Sequence, residues 1–185
     1  DDAFASALRA AIGSGSGAPV VHPTIRAGYE KALADLQALP VTEAAQGVVG
    51  SGALGVCPTL FEASAAVVLA QPRLRSEIYG PAVLAVPCDD EGDMTALARS
   101  LHGHLTATVH GDGDDFVRHA TLLDVLRSKV GRLIANGVPT GVEVCVSMVH
   151  GGPWPASTDA RFSAVGATSI RRWARPACWQ DWPHD

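Results

Sequence analysis

The stretch Asn136-Gly-Val-Pro-Thr-Gly-Val-Glu-Val-Cys-Val-Ser-Met-Val-His150-Gly-Gly-Pro-Trp-Pro155 decides how this chain is read. Glycines at 137, 141, 151 and 152 and prolines at 139, 153 and 155 interrupt an otherwise apolar run. Glycine opens backbone conformations that regular elements avoid, and proline removes a backbone donor, so the stretch is neither a long helix nor a simple strand. It is a shaped loop leaving the short strand Gly131–Ala135. Loops at strand ends are where open α/β folds carry binding and catalytic groups.

Working outward, the residues before this loop alternate between strand and helix patterns. Val83–Pro87 is a short apolar strand, and Asp93–Leu101 is a helix with Met94, Leu97, Ala98 and Leu101 at helical spacing. Leu105–His110 is a second strand, rich in β-branched residues. Asp114 and Asp115 open a further helix that carries Phe116, Leu122, Leu123 and Leu126 and ends with Arg127 and Lys129, a charge order that suits the helix dipole. Gly131–Ala135 is the third strand. Strand, helix, strand, helix, strand with short joints predicts an α/β fold, an open, mainly parallel sheet in three layers with right-handed crossovers. Nearer the start, Phe4–Ile12 looks like the end of a helix, broken by Gly13-Ser-Gly-Ser-Gly17. Thr24 then caps a helix whose Ile25, Tyr29, Leu33, Leu36 and Leu39 share one face, and Pro40 closes it. Between Val41 and Leu60 alternation is poor, and short strands and turns are expected.

The 185 residues are enough for one domain with a proper core. A net charge of −5 speaks against a nucleic-acid surface, which needs a basic face. No apolar run reaches membrane-span length; Ala63–Ala70 is stopped by Gln71 and Pro72. The opening residues carry no basic region and no signal-peptide core, so a cytoplasmic protein is expected. Cys57, Cys88, Cys145 and Cys178 lie far apart with no C-x-x-C pair, which predicts incidental thiols and no metal site.

Several motifs bear on chemistry. Gly50-Ser-Gly52-Ala-Leu-Gly55 matches the G-x-G-x-x-G phosphate fingerprint, but Pro58 follows closely and no helical periodicity succeeds it, so a strand-and-turn reading is preferred. His102 and His104, with His110 nearby, lack an evident third metal ligand and read as polar residues at a helix-to-strand joint. Cys145 stands near Glu143, which would raise a thiol pKa, so it is a poor nucleophile. His150 lies in the deciding loop, and as a general base it would need an orienting partner. Glu77 follows Arg73 and Arg75 and precedes Tyr79-Gly80-Pro81. Its carboxylate can accept two hydrogen bonds from a sugar diol, or it can form a surface ion pair with one of those arginines. The terminal Ser169–Pro183 piece holds Trp173, Trp179 and Trp182 between arginines. It fits either a subunit contact or a tail packed on its own domain.

Taken together, Ser76-Glu-Ile-Tyr-Gly-Pro81, Leu105-Thr-Ala-Thr and Asn136-Gly-Val-Pro-Thr-Gly-Val-Glu-Val resemble the aldehyde dehydrogenase superfamily. The loop His150-Gly-Gly-Pro-Trp-Pro-Ala-Ser-Thr-Asp159 looks most like the α-ketoglutaric semialdehyde dehydrogenases. The resemblance extends from Thr24 to Gln180 and covers about the last third of such an enzyme. It implies oxidation of a semialdehyde, 2,5-dioxopentanoate to 2-oxoglutarate, with NAD or NADP. In that chemistry a cysteine thiolate attacks the aldehyde, hydride passes to the cofactor and water releases the acid. The family's nucleophile, general-base glutamate and cofactor domain precede the matching region, so the resemblance implies no catalytic residue in this chain and no activity for it alone. Glu77 matches the carboxylate that holds the nicotinamide-ribose hydroxyls, and Tyr79 matches the aromatic packed on that ribose. The Thr140–His150 loop would wall the aldehyde pocket, with Val142, Val144 and His150 as contacts. Residues 1–168 would be the C-terminal part of the catalytic domain, and 169–185 an oligomerisation arm adding a strand to a neighbouring subunit. Trp154 and Trp173 depart from the family, whose corresponding side chains are smaller aromatics. Two other readings are a non-catalytic interaction module acting through the Trp-rich arm, and a small nucleotide-binding domain using Gly50–Gly55.

Overall fold

The computed structural model describes residues 2–139, 141–142 and 145–183. Contacts divide the chain into two compact units, Asp1–Leu97 and Ala98–Asp185. The first opens with helix α1 (Asp2–Ser14) and helix α2 (Pro23–Gln37). The cap of α2 is His22 rather than Thr24: the His22 imidazole accepts from the Thr24 amide, and Pro23 supplies a first-turn residue that needs no donor. The periodic face reads correctly, since Tyr29 and Leu36 are buried and Ile25, Leu33 and Leu39 are half-buried.

Three strands follow, β1 (Thr42–Gln46), β2 (Thr59–Glu62) and β3 (Ala82–Ala85), with the short helix α3 (Ala65–Ala70) between the last two. β2 is central, antiparallel to β1 and parallel to β3 in the register Leu60 to Val83. Its Thr59, Leu60 and Phe61 are fully buried. Phe61 packs in a cluster with Leu36, Ala63, Val68 and Leu74, and each large apolar side chain so buried contributes roughly 1.5–3 kcal/mol. Ser64 caps α3 by accepting from the Val67 amide. On the rim, Arg9 of α1 grips Glu62 through Nε and Nη2, both at 2.8 Å.

The chain passes into the second unit within α4 (Glu91–Ser100). There β4 (His104–Val109) and β5 (Val130–Ala135) pair in parallel, and α5 (Gly113–Arg118) and α6 (Ala120–Lys129) form the crossover. The helix expected as one piece from Asp114 is two, broken at His119. Asp112 caps α5 in a reciprocal box with Asp115. The three strands expected in one sheet are divided: β3 bonds to β2, while β4 and β5 form a separate two-stranded sheet. The parallel α/β character stands; the single sheet does not. Strand patterns report burial, whereas pairing is settled by non-local contacts.

Ser169–Arg172 is one 3₁₀ turn, and the described remainder of 169–183 is irregular. Trp179 and Trp182 pack edge to face with centroids 4.6 Å apart, and Trp173 is 83% exposed. Among the described residues no helix is long and apolar enough to cross a membrane.

Candidate functional site

The segment Ser76–Pro81 of the first unit is held by the residues on either side of it. Leu74 is buried in the core cluster and Ile78 packs against that cluster, while Glu77 and Tyr79 are exposed. Buried Leu74 and half-buried Ile78 thus anchor a strip on which an exposed carboxylate and an exposed aromatic ring stand two residues apart. The far end is fixed by Tyr29 of α2. Its hydroxyl donates to the Cys57 carbonyl at 2.7 Å, and its ring lies against Gly80 so closely that a Cβ there would come within 2.7 Å of Cε2 and 2.9 Å of Cγ. Burial raises the Tyr29 phenol above its usual value, so it stays protonated and available as a donor. The Pro81 carbonyl accepts from the Thr59 amide at 3.0 Å, which joins this turn to the central strand.

Both arginines that could have neutralised Glu77 are engaged elsewhere. Arg73 pairs with Asp35 at 3.0 Å, and Arg75 donates to the Val68 and Leu69 carbonyls at 2.6 and 3.1 Å. Among the described residues Glu77 has no ion-pair partner. The surface-pair reading therefore loses both of its candidates, and Glu77 remains an exposed acceptor two residues before an exposed ring.

In the second unit, Asn136 ends β5 with a left-handed φ of 51°. Its side-chain amide forms a two-point clamp on Gly111: Oδ1 accepts from the Gly111 amide at 2.9 Å and Nδ2 donates to the Gly111 carbonyl at 2.8 Å. The clamp ties together the segments leaving the C-terminal ends of β4 and β5, the edge where α/β sheets hold ligands. The deciding loop starts from it. Val142 is 47% exposed, whereas Val144 lies outside the described residues. Arg132 of β5 donates through Nη1 to the Gly141 carbonyl at 2.7 Å, and its Nε is buried without a partner.

His150 sits elsewhere in that unit. Gly151 and Gly152 are buried, and side chains on Gly131 or Gly152 would run into the Gly151 and His104 carbonyls, so the segment lies against the first residues of β4 and β5. The His150 amide donates to the Ser163 hydroxyl at 3.0 Å, and the Ala164 amide donates back to the His150 carbonyl at 2.9 Å. The backbone of His150 is therefore fixed, but its buried Nδ1 has no orienting partner, the condition set for a general base. Val142 follows the strand end and His150 adjoins the strand start, so the loop spreads these two expected pocket residues along the sheet.

The glycines at 50–55 serve packing. Side chains on Gly50 and Gly55 would strike backbone of Gly17 and Gly50, and Gly52 takes a φ of 80° in a turn that no helix follows. That is not a phosphate loop, which needs a strand before it and a helix opening from it. No group of three or more His, Cys, Asp or Glu side chains among the described residues could hold a metal. Burial, followed by Asp93, Asp89 and Asp90, pushes the Cys88 thiol up, away from nucleophile character. Sequence reasoning passed over Tyr29 and Arg132 as working residues: core spacing marked the first only as buried, and nothing local marks the orphaned edge of the second.

No protein-family model matches the chain. It is 48% identical over 126 residues to α-ketoglutaric semialdehyde dehydrogenase 2 of Azospirillum brasilense, a match covering 68% of this chain and 24% of that protein. It is 43% identical over 125 residues to the α-ketoglutaric semialdehyde dehydrogenase of Acinetobacter baylyi, covering 67% and 24%. The chain thus spans about a quarter of the length of these curated relatives. Its fold matches a betaine aldehyde dehydrogenase from Staphylococcus aureus, solved in complex with NAD+, with a TM-score of 0.68 at 18% identity over 94% of this chain and 35% of the other. With sequence matches of this strength and a shared fold, the chain belongs to the aldehyde dehydrogenase superfamily and corresponds to its C-terminal portion.

Proposed function

We propose that these residues are part of an NAD(P)-dependent aldehyde dehydrogenase acting on 2,5-dioxopentanoate and releasing 2-oxoglutarate. The names of the two sequence relatives support the substrate class. The observation that carries the role of this portion is Glu77, exposed, free of both neighbouring arginines, and set two residues from Tyr79 on a strip locked by Tyr29 and Gly80. Those residues fit a ribose: a carboxylate accepts from two vicinal hydroxyls, and a flat ring covers the sugar face. The cofactor, when bound, supplies the acceptor for the substrate hydride. Glu77 would fix the ribose by accepting from its hydroxyls, and Tyr79 would limit its rotation. Holding a reactant in one orientation removes entropy from the barrier without any chemical step at these side chains.

In the second unit, Val142 would line the aldehyde side, with Asn136 and Arg132 fixing how the loop leaves β5. The arm from Ile170 would cover its apolar side chains against a second subunit; Ile170, Trp173, Trp179 and Trp182 are each at least 60% exposed. The nucleophile and general base would come from a preceding portion, so the 185 residues alone would not oxidise an aldehyde.

The test is a chimaera in which this chain replaces the matching segment of the Azospirillum brasilense relative. Aldehyde-dependent NAD(P)H formation, faster with 2,5-dioxopentanoate than with butanal, is the expected result, with none from the 185 residues alone. A folded chimaera inert toward every aldehyde would defeat the proposal.

A further inference from the structure

We infer that Arg132 is a binding residue for a small carboxylate, and that the carboxylate is the anionic end of the substrate. The inference rests on the dehydrogenase reading for the ligand's identity, but the site itself is argued from the guanidinium. An arginine can hold a carboxylate side-on through Nε and Nη2, two parallel donors matched to two oxygens. Among the described residues this happens twice. Arg9 grips Glu62 through Nε and Nη2 at 2.8 Å each, and Arg161 grips Asp159 through the same two nitrogens at 2.9 and 2.7 Å. The second pair holds the Asp159 carboxyl down at about 2, with the Arg161 hydrogen bond as the main cause.

Arg132 has the same edge and no acid on it. Nη1 is committed to the Gly141 carbonyl at 2.7 Å, which sets the orientation of the guanidinium plane. Nε is buried and unpartnered, and Nη2 has no hydrogen bond among the described residues. Buried donors are nearly always paired, more so when charged, so an orphaned Nε–H on a fixed guanidinium is a place that a ligand can complete. Its position suits a substrate. Arg132 lies in β5, four residues before the Asn136 clamp, and is bonded to the loop residue next to Val142. An aldehyde with a carboxylate at its far end would have its charge held at Arg132 and its apolar middle beside Val142. An uncharged aldehyde would gain nothing there.

The test uses the ¹⁵N-labelled 185-residue chain, with arginine Nε–H resonances followed during titration with 2-oxoglutarate and, separately, its uncharged diamide. The Arg132 resonance is assigned by its absence in Arg132→Lys. Expected are a saturable downfield shift of that resonance with 2-oxoglutarate, no shift with the diamide, and affinity, followed in both proteins at the backbone amide of Val142, about tenfold or more weaker in Arg132→Lys, which keeps charge but loses the two-donor edge. Circular dichroism confirms that each variant is folded. No saturable shift at Arg132 would overturn the inference, as would an Nε–H already hydrogen-bonded before ligand is added, since a carboxylate of the chain would then hold it. Equal affinity in Arg132→Lys would overturn it too. In the chimaera, Arg132→Lys should raise KM about tenfold more for 2,5-dioxopentanoate than for butanal, whose KM reports only the loop contact to Gly141. If the unmutated chimaera oxidises neither aldehyde, the dehydrogenase reading fails while the titration still judges Arg132.

Discussion

Gly80→Ala places a methyl group where Tyr29 already is. The new Cβ would sit 2.7 Å from Cε2 and 2.9 Å from Cγ of the ring, closer than carbon atoms pack, and nearer still to Cδ2. The ring cannot swing aside freely. Tyr29 is 2% exposed, and its hydroxyl is tied to the Cys57 carbonyl at 2.7 Å. Overpacking of this kind costs about 1–3 kcal/mol. Tryptophan fluorescence would miss it, because Trp154, Trp173, Trp179 and Trp182 all belong to the second unit. The suitable probe is the Thr59 amide, which donates to the Pro81 carbonyl beside the altered residue. If that amide exchanges through opening of the unit, a loss of 1–3 kcal/mol speeds its exchange about 5- to 150-fold. With Tyr29→Leu as background the ring is gone, and the same Gly80→Ala change should cost less than about 0.5 kcal/mol. An equal penalty in both backgrounds, or none in either, would refute the Tyr29–Gly80 lock.

Three further outcomes follow from the same geometry. Arg9 holds the Glu62 carboxyl below the usual carboxylate range, chiefly by hydrogen bonding. A depressed carboxyl pKa contributes stability above the unfolded value and loses it as pH falls through the folded one. Arg9→Gln should therefore cost about 0.5–1 kcal/mol near pH 7, a modest figure because Arg9 is 45% exposed, and almost nothing in strong acid; urea unfolding at both pH values checks the sign. Asn136→Gly keeps access to the left-handed backbone but loses both hydrogen bonds to Gly111, at about 1–3 kcal/mol. Asn136→Ala should cost about 1 kcal/mol more from backbone strain, and equal stability of the two variants would show that the φ of Asn136 does not matter.

Much of the fold is written in local patterns. The face of α2, the helix α4 and the strands β4 and β5 follow from apolar spacing, and their observed bounds differ from expectation by a residue or two. What escaped is non-local. β2 is buried on both sides, so its Thr-Leu-Phe-Glu shows no alternation to read. α3 has six residues, too few for a helical period. The break at His119 has no proline or glycine to announce it. The candidate site divides the same way. Glu77 stands out by its neighbours Arg73 and Arg75, yet its freedom depends on Asp35, from a distant helix, and on two α3 carbonyls that engage those arginines. Tyr29 reads as one more core residue, and only the folded chain sets its ring against Gly80.

The claim on which the account depends most is that Glu77 holds the cofactor ribose. The measurement is the KM for NAD(P) of the chimaera with Glu77→Gln, beside the unmutated chimaera. Losing charge-assisted hydrogen bonds worth about 1.5–3 kcal/mol predicts a cofactor KM raised about tenfold to a hundredfold, with the aldehyde KM little changed. A cofactor KM equal to that of the unmutated protein, at undiminished turnover, would contradict it.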